Sequence, residues 1–192
     1  MLINFFVKNR FSNIEGNIDN ILYYFAPCRS LIIDIRGNGG GLITAAEKLA
    51  ARFTNKELFV GYMQHKEGKG HNDFSKMEKQ ILQPSSCMRW QKQVFVLTNR
   101  SVFSAANEFT KYMKECPLCT IIGDKTGGGA GMPFSSELPN GWGVRFSACP
   151  MYNVQGNSTE NGIEPDVWCG LNDKDATRGI DAIIEKARVL TK

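Results

Sequence analysis

Leu31-Ile32-Ile33-Asp34-Ile35, running into Arg36-Gly37-Asn38-Gly39-Gly40-Gly41, is the stretch on which the fold turns. Its first half is a short, almost unbroken apolar run. A strand covered on one face alternates apolar with polar residues; a run this continuous suits a parallel strand buried on both faces. The glycines behind it let the backbone take positive φ and approach another group closely. Thr44-Ala45-Ala46-Glu47 then has the capping-box pattern and predicts a helix to about Phe53. Strand, glycine loop and helix make one unit.

A second unit follows further along. Val94-Phe95-Val96-Leu97 reads as a buried strand, Thr98 to Ser101 as a turn, and Ser104 to Lys114 as a helix stopped by Pro117. Thr120-Ile121-Ile122 is a third short strand, leading into Gly127-Gly128-Gly129-Ala130-Gly131, a second glycine loop. Alternating strands and helices argue for a layered α/β fold. Around this core, Asn17 to Phe25 has helical apolar spacing behind Asn17 as a cap, and Ile180, Ile183, Ile184 and Ala187 predict a C-terminal helix capped by Asp175. Gly61 to Arg89 reads as a polar excursion with a short helix near Phe74 to Leu82. Trp142 to Phe146 and Cys149 to Val154 read as an antiparallel pair, and Met1 to Phe11 as the tail of a strand.

The chain of 192 residues is 42% apolar and 22% charged, the proportions of one ordinary globular domain. Its net charge of +4 is spread without a basic stripe, so nucleic acid is not an expected partner. No apolar run reaches the length of a membrane span. The N-terminus lacks the basic region of a signal peptide, so either the protein is cytoplasmic or its targeting segment lies outside this chain. Six cysteines are too dispersed for a disulfide scaffold, and Cys116-Pro117-Leu118-Cys119 has no second ligand pair. Buried thiols, no metal and no cofactor are the expectation.

Chemistry concentrates at the loops. The first glycine loop fails the dinucleotide fingerprint because its third glycine would fall on Leu42, and the second is not closed by Gly-Lys-Ser/Thr. What remains is either a tight turn or a set of free amides beside a helix start, suited to an oxyanion. Ser104, at a helix start, is either a plain N-cap or a hydroxyl presented to substrate with the Ala105 amide beside it. No histidine follows Ser104, so the Ser, Asp/Glu, His order of the α/β-hydrolases is impossible within the chain.

Four segments in order resemble peptidase family S41, the tail-specific or C-terminal-processing peptidases. They are Leu31 to Gly41, Asn99 to Glu108, Ile122 to Gly129, and Glu160-Asn161-Gly162-Ile163-Glu164-Pro165-Asp166-Val167. The resemblance implies a ClpP/crotonase-like α/β core with an added antiparallel strand pair. It implies Ser104 as nucleophile and Gly39 or Gly40 with Ala105 as oxyanion donors; Gly127, Gly128 and His71 are further expected as substrate contacts. One branch pairs serine with lysine, but the family interval counted from Ser104 lands on Gly129, and Lys125 lies four positions early. The other branch, which includes the tricorn-protease core, uses serine, histidine and glutamate, and Glu160 fits its glutamate slot. That branch's histidine lies upstream of the first glycine loop; His65 and His71 are both downstream of it.

The expected function is a serine-type endopeptidase acting on peptides or protein C-terminal regions. A catalytically inactive peptide-binding module on the same fold is the alternative, and acyl-CoA chemistry on a crotonase-like core a third class. The expected organisation is one domain over 1–192: an N-terminal strand and helix (1–30), a catalytic core (31–170) and a C-terminal helix (171–192). A preceding segment, PDZ-like or carrying the histidine, and homo-oligomerisation are further expectations. The resemblance also suggests export to a bacterial envelope.

Overall fold

A computed structural model describes residues 14–171, 175 and 177–191. The strand expected over Met1 to Phe11 lies outside the described residues. Four parallel strands form the central sheet: β1 (Ser30–Asp34), β4 (Gln93–Thr98), β5 (Cys119–Gly123) and β9 (Val167–Trp168), in that order across the sheet. Between β1 and β4 in sequence lie α2 (Ile43–Ala50), a 3-10 turn (Ala51–Phe53), β2 (Leu58–Met63) and β3 (Glu78–Leu82). Helix α1 (Ile14–Phe25) precedes β1, and α3 (Ala105–Lys114) joins β4 to β5. β6 (Pro133–Glu137), β7 (Gly143–Ser147) and β8 (Met151–Tyr152) come before β9, and α4 (Ala182–Leu190) follows it.

Both faces of the sheet are covered, which is why its strands read as unbroken apolar runs. Successive side chains alternate between faces. Leu31, Ile33, Val94, Val96 and Ile121 pack with Leu22, Leu49, Phe109 and Met113 from α1, α2 and α3. Phe95, Leu97 and Ile122 face the other way, against Ile183 and Ala187 of α4. A buried arginine ties the outer layer down: Arg52 pairs with Asp19 of α1 and donates to the Met88 carbonyl at 2.8 Å.

Several expected details are corrected. Glu78–Leu82 is a strand, not part of a helix, and pairs antiparallel with β2, Leu82 opposite Leu58. Long-range pairing overrides the weak local helical spacing of Phe74 to Leu82. Gly143–Ser147 pairs with Pro133–Glu137, whereas Met151–Tyr152 joins β2, so Trp142 to Phe146 and Cys149 to Val154 are not partners. Helix α1 starts at Ile14, which puts Asn17 inside it. The capping box at Thr44 and Glu47 does not form: α2 begins one residue earlier, behind an extended Leu42 with no side-chain cap. Asp181, not Asp175, caps α4, its carboxylate accepting from the Ile183 and Ile184 amides at 3.1 Å. Of the six cysteines only Cys116 is fully buried, where burial pushes its thiol up to about 12.

The register of the parallel pair positions the site. Asp34 lies opposite Leu97, so β1 and β4 end at the same level and their loops emerge side by side. Ligand sites in parallel sheets form at such carboxyl ends.

Candidate active site

Two asparagines join the emerging loops. The Asn99 carboxamide oxygen accepts from the Gly37 and Ser101 amides, both at 3.1 Å. The Asn38 carbonyl accepts from the Phe103 amide at 3.0 Å, and its side-chain oxygen from the Gly40 amide at 2.9 Å. Gly40, at φ 97°, lies so close that a Cβ there would stand 2.7 Å from the Ser104 Cβ and 2.6 Å from the Phe103 carbonyl oxygen. Glycine is required at this point by contact as well as by conformation.

Ser104 stands at the N-cap position of α3 with φ 57° and ψ −125°. Among the described residues other than glycine, only Ser104 and Met132 have positive φ. An N-cap serine normally has extended dihedrals and turns its oxygen back to the helix amides. Ser104 makes no such bond, and its hydroxyl meets no partner among the described residues. The helix-cap reading therefore fails. Strain of this kind costs on the order of 1–3 kcal/mol and persists where surrounding contacts enforce it. Here the enforcing contacts are the Ser104 amide donating to Gly128 O at 2.8 Å, the Phe103 amide donating to Asn38 O, and the closeness of Gly40.

Of the amides expected to face an oxyanion, that of Gly40 is occupied by Asn38. Those of Gly39 and Ala105 donate to no other described group, and Gly39 has open space where a Cβ would be. An open cleft of about 500 Å³ is lined by Gly39, Ser104, Gly129, Arg145, Ser147 and Glu160, among others. Glu160 thus joins Ser104 across 56 residues of sequence, with its Oε1 accepting from the Ser147 hydroxyl at 3.3 Å. Arg145 is the cation of the cleft. Sequence reading missed it, and no local pattern marked it; the β6–β7 pairing brings it there.

The second glycine loop is arranged differently. Gly127 N donates to Val102 O at 2.7 Å and Gly129 N to Glu160 O at 2.9 Å. Gly127 and Gly128 are not among the cleft-lining residues; Gly129 is. Behind the loop, the Thr126 hydroxyl donates to Asn107 Oδ1 at 2.6 Å and accepts from the Ile163 amide at 2.7 Å. Asn107 Nδ2 in turn donates to the Thr159 carbonyl at 3.3 Å. This buttress holds the Glu160 segment against α3.

The remaining candidates lie elsewhere. Lys125 pairs with Glu164 at 2.9 Å and does not line the cleft. His71 is exposed and does not line it either. His65 meets Cys149 Sγ at 3.5 Å through Nδ1 and Glu78 at 4.0 Å through Nε2. No described histidine reaches the Ser104 hydroxyl.

Peptidase family S41 is matched over residues 4–168. The protein named "Probable CtpA-like serine protease" of Staphylococcus epidermidis is 29% identical over 163 residues, 83% of this chain and 32% of the relative. "Carboxy-terminal processing protease CtpA" of Bacillus subtilis is 25% identical over 146 residues, 76% of this chain and 29% of its own. Among solved structures, a Parabacteroides merdae protein described as a candidate peptidase superposes with a TM-score of 0.88 at 47% identity, over 92% of this chain and 56% of that one. Mature CPAF has the same fold, with a TM-score of 0.84 at 16% identity over the whole of this chain and 50% of its own. The chain spans about a third of the length of the curated relatives it matches.

Proposed function

The chain belongs to peptidase family S41, and from that premise we propose that it is the catalytic core of a serine-type peptidase with Ser104 as its nucleophile. One observation carries the proposal: a strained serine with an unbonded hydroxyl stands in a cleft beside two unspent amides. Ser104 Oγ attacks the scissile carbonyl carbon, and its proton passes to a base. The carbonyl oxygen, now an anion, is held by the Gly39 and Ala105 amides, while the Gly40 amide serves Asn38 instead. Donors placed in advance of the charge are worth about 10²–10³ in rate. Collapse of the tetrahedral intermediate breaks the C–N bond, the protonated base gives its proton to the leaving amine, and water hydrolyses the acyl-serine.

The base comes from outside this chain in this proposal, as a histidine on a preceding segment, and Glu160 orients it. That assignment places the protein nearer the serine–histidine–glutamate branch, consistent with Lys125 being tied to Glu164. The substrate is a peptide or protein C-terminal region lying in the cleft that Phe146 and Arg145 help to line. The relatives are bacterial, and action in the cell envelope is part of the proposal.

A fluorophosphonate probe on the full-length protein tests it. Labelling is expected, and Ser104→Ala abolishes it. Labelling that survives Ser104→Ala would overturn the assignment. A second reading, a peptide-binding module without turnover, is favoured by the Ser104 hydroxyl having no described base; a folded full-length protein that binds peptides and takes no label would establish it.

A further inference from the structure

Beside Ser104 the cleft opens into a smaller pocket of about 270 Å³. Its walls include Leu42 and Ile43 at the start of α2, Ala105, Ala130, Met132 and Met151. Besides Ser104 itself, one lining residue breaks the apolar pattern. Glu108 lies one turn into α3 from Ser104 and its amide donates to the Ser104 carbonyl. It is only 2% exposed. Oε2 lies 2.5 Å from Lys111 Nζ, which also donates to Gln80 Oε1 at 2.7 Å. Neither carboxylate oxygen makes a hydrogen bond of ordinary geometry, and Oε1 lacks even the ion pair.

Buried acceptors are almost always satisfied, and an exception calls for a cause. Glu108 is among the residues lining this pocket and Lys111 is not. Burial pushes the Glu108 carboxyl up and the Lys111 ammonium down, and the attraction between them opposes both shifts. Whichever partner holds the shared proton, the pair is neutral overall. An incoming cation would meet Lys111 as well as Glu108, so the pocket favours a donor without charge.

Resting on the peptidase reading, we infer that this pocket receives the substrate side chain next to the attacked carbonyl, and that Glu108 selects an uncharged residue with an apolar body and a hydrogen-bond donor at its tip. Tyrosine and glutamine are such residues; phenylalanine and methionine are their near-isosteres without the donor. The tip donates to the unpartnered carboxylate of Glu108 while the body covers Met132, Met151 and Leu42.

Short peptides ending in a free carboxylate test the inference without hydrolysis, because the carboxylate occupies the Gly39 and Ala105 amides and fixes the register. Binding of acetylated tripeptides ending in Tyr, Phe, Gln, Met or Lys is measured by calorimetry on the 192-residue chain. The Tyr peptide is expected to bind about tenfold more tightly than Phe, or Gln than Met, the worth of one hydrogen bond to a buried acceptor. Equal binding within both pairs, no binding by any peptide, or tightest binding by the Lys peptide overturns the inference. In the double variant Glu108→Leu/Lys111→Met, which leaves no unpaired buried charge, the preference is expected to vanish; its persistence overturns the inference. Should that variant fail to fold, Glu108→Met removes every hydrogen-bonding atom at this position and leaves Lys111 on Gln80 Oε1. The preference must then shrink, and an unchanged preference overturns the inference. A full-length protein that binds with this preference but never cleaves defeats the proposed function and leaves the pocket assignment standing.

Discussion

In the loop 37–41 the Gly39 amide is free and Gly40 lies against Ser104. In the loop 127–131 the Gly127 and Gly129 amides are spent on Val102 and Glu160 carbonyls, and Gly128 gives its carbonyl to the Ser104 amide. The two loops look alike in sequence and do different work. One presents donors to the cleft; the other locks the backbone of Ser104 to the segment that carries Glu160. The contrast shows how one residue type serves both ends. Glycine brings backbones together, and whether the amide is then available depends on what lies opposite it.

The contrast can be broken or sharpened by substitution. The largest effect is expected at Gly128, where a Cβ would stand 1.9 Å from the Glu160 carbonyl oxygen at φ 85°. Gly128→Ala combines overpacking with backbone strain and should lower unfolding free energy by about 3 kcal/mol or more, read by urea denaturation. Gly40→Ala comes next. Its Cβ meets Ser104 directly, so a loss of about 2 kcal/mol should accompany a fall in fluorophosphonate labelling of the full-length protein. Unimpaired labelling would remove Gly40 from the support of Ser104.

Ser104→Gly is expected to go the other way. It relieves the positive φ at the price of a freer unfolded chain, and a net gain of about 1 kcal/mol follows. A loss instead would mean that the serine side chain, not the surrounding backbone, stabilises this turn. The smallest effect belongs to Gly39→Ala, which has open space around it. Stability should change by less than about 0.5 kcal/mol, with labelling retained because the amide survives. If Gly39→Ala proves as damaging as Gly128→Ala, the two loops are not different in kind.

Much of the core was legible because its signals are local and doubled. Leu31 to Ile35 and Val94 to Leu97 each carry apolar residues for both faces of the sheet, so the run survives any error in register. Glu78–Leu82 carried no such signal. Its strand exists because β2 offers it a ladder, and only the folded chain supplies that partner. Asp181 was overlooked in favour of Asp175, although it directly precedes the apolar spacing of α4. Arg145 in the cleft and the unpartnered carboxylate of Glu108 left no mark at all, since each depends on contacts across unrelated segments.

By itself the sequence determined the strand–loop–helix order, the two glycine loops, Ser104 at a helix start and the family to which these segments belong. Each of these is written in neighbouring residues, where spacing and residue type are sufficient. The tertiary structure decided which amides are free, that Ser104 is strained and does not cap, and that Glu160 shares its cleft. Those outcomes rest on distances between atoms far apart in the chain, such as Gly40 against Ser104 or Asn38 on the Gly40 amide, and such distances are fixed only when β1 and β4 pair in register.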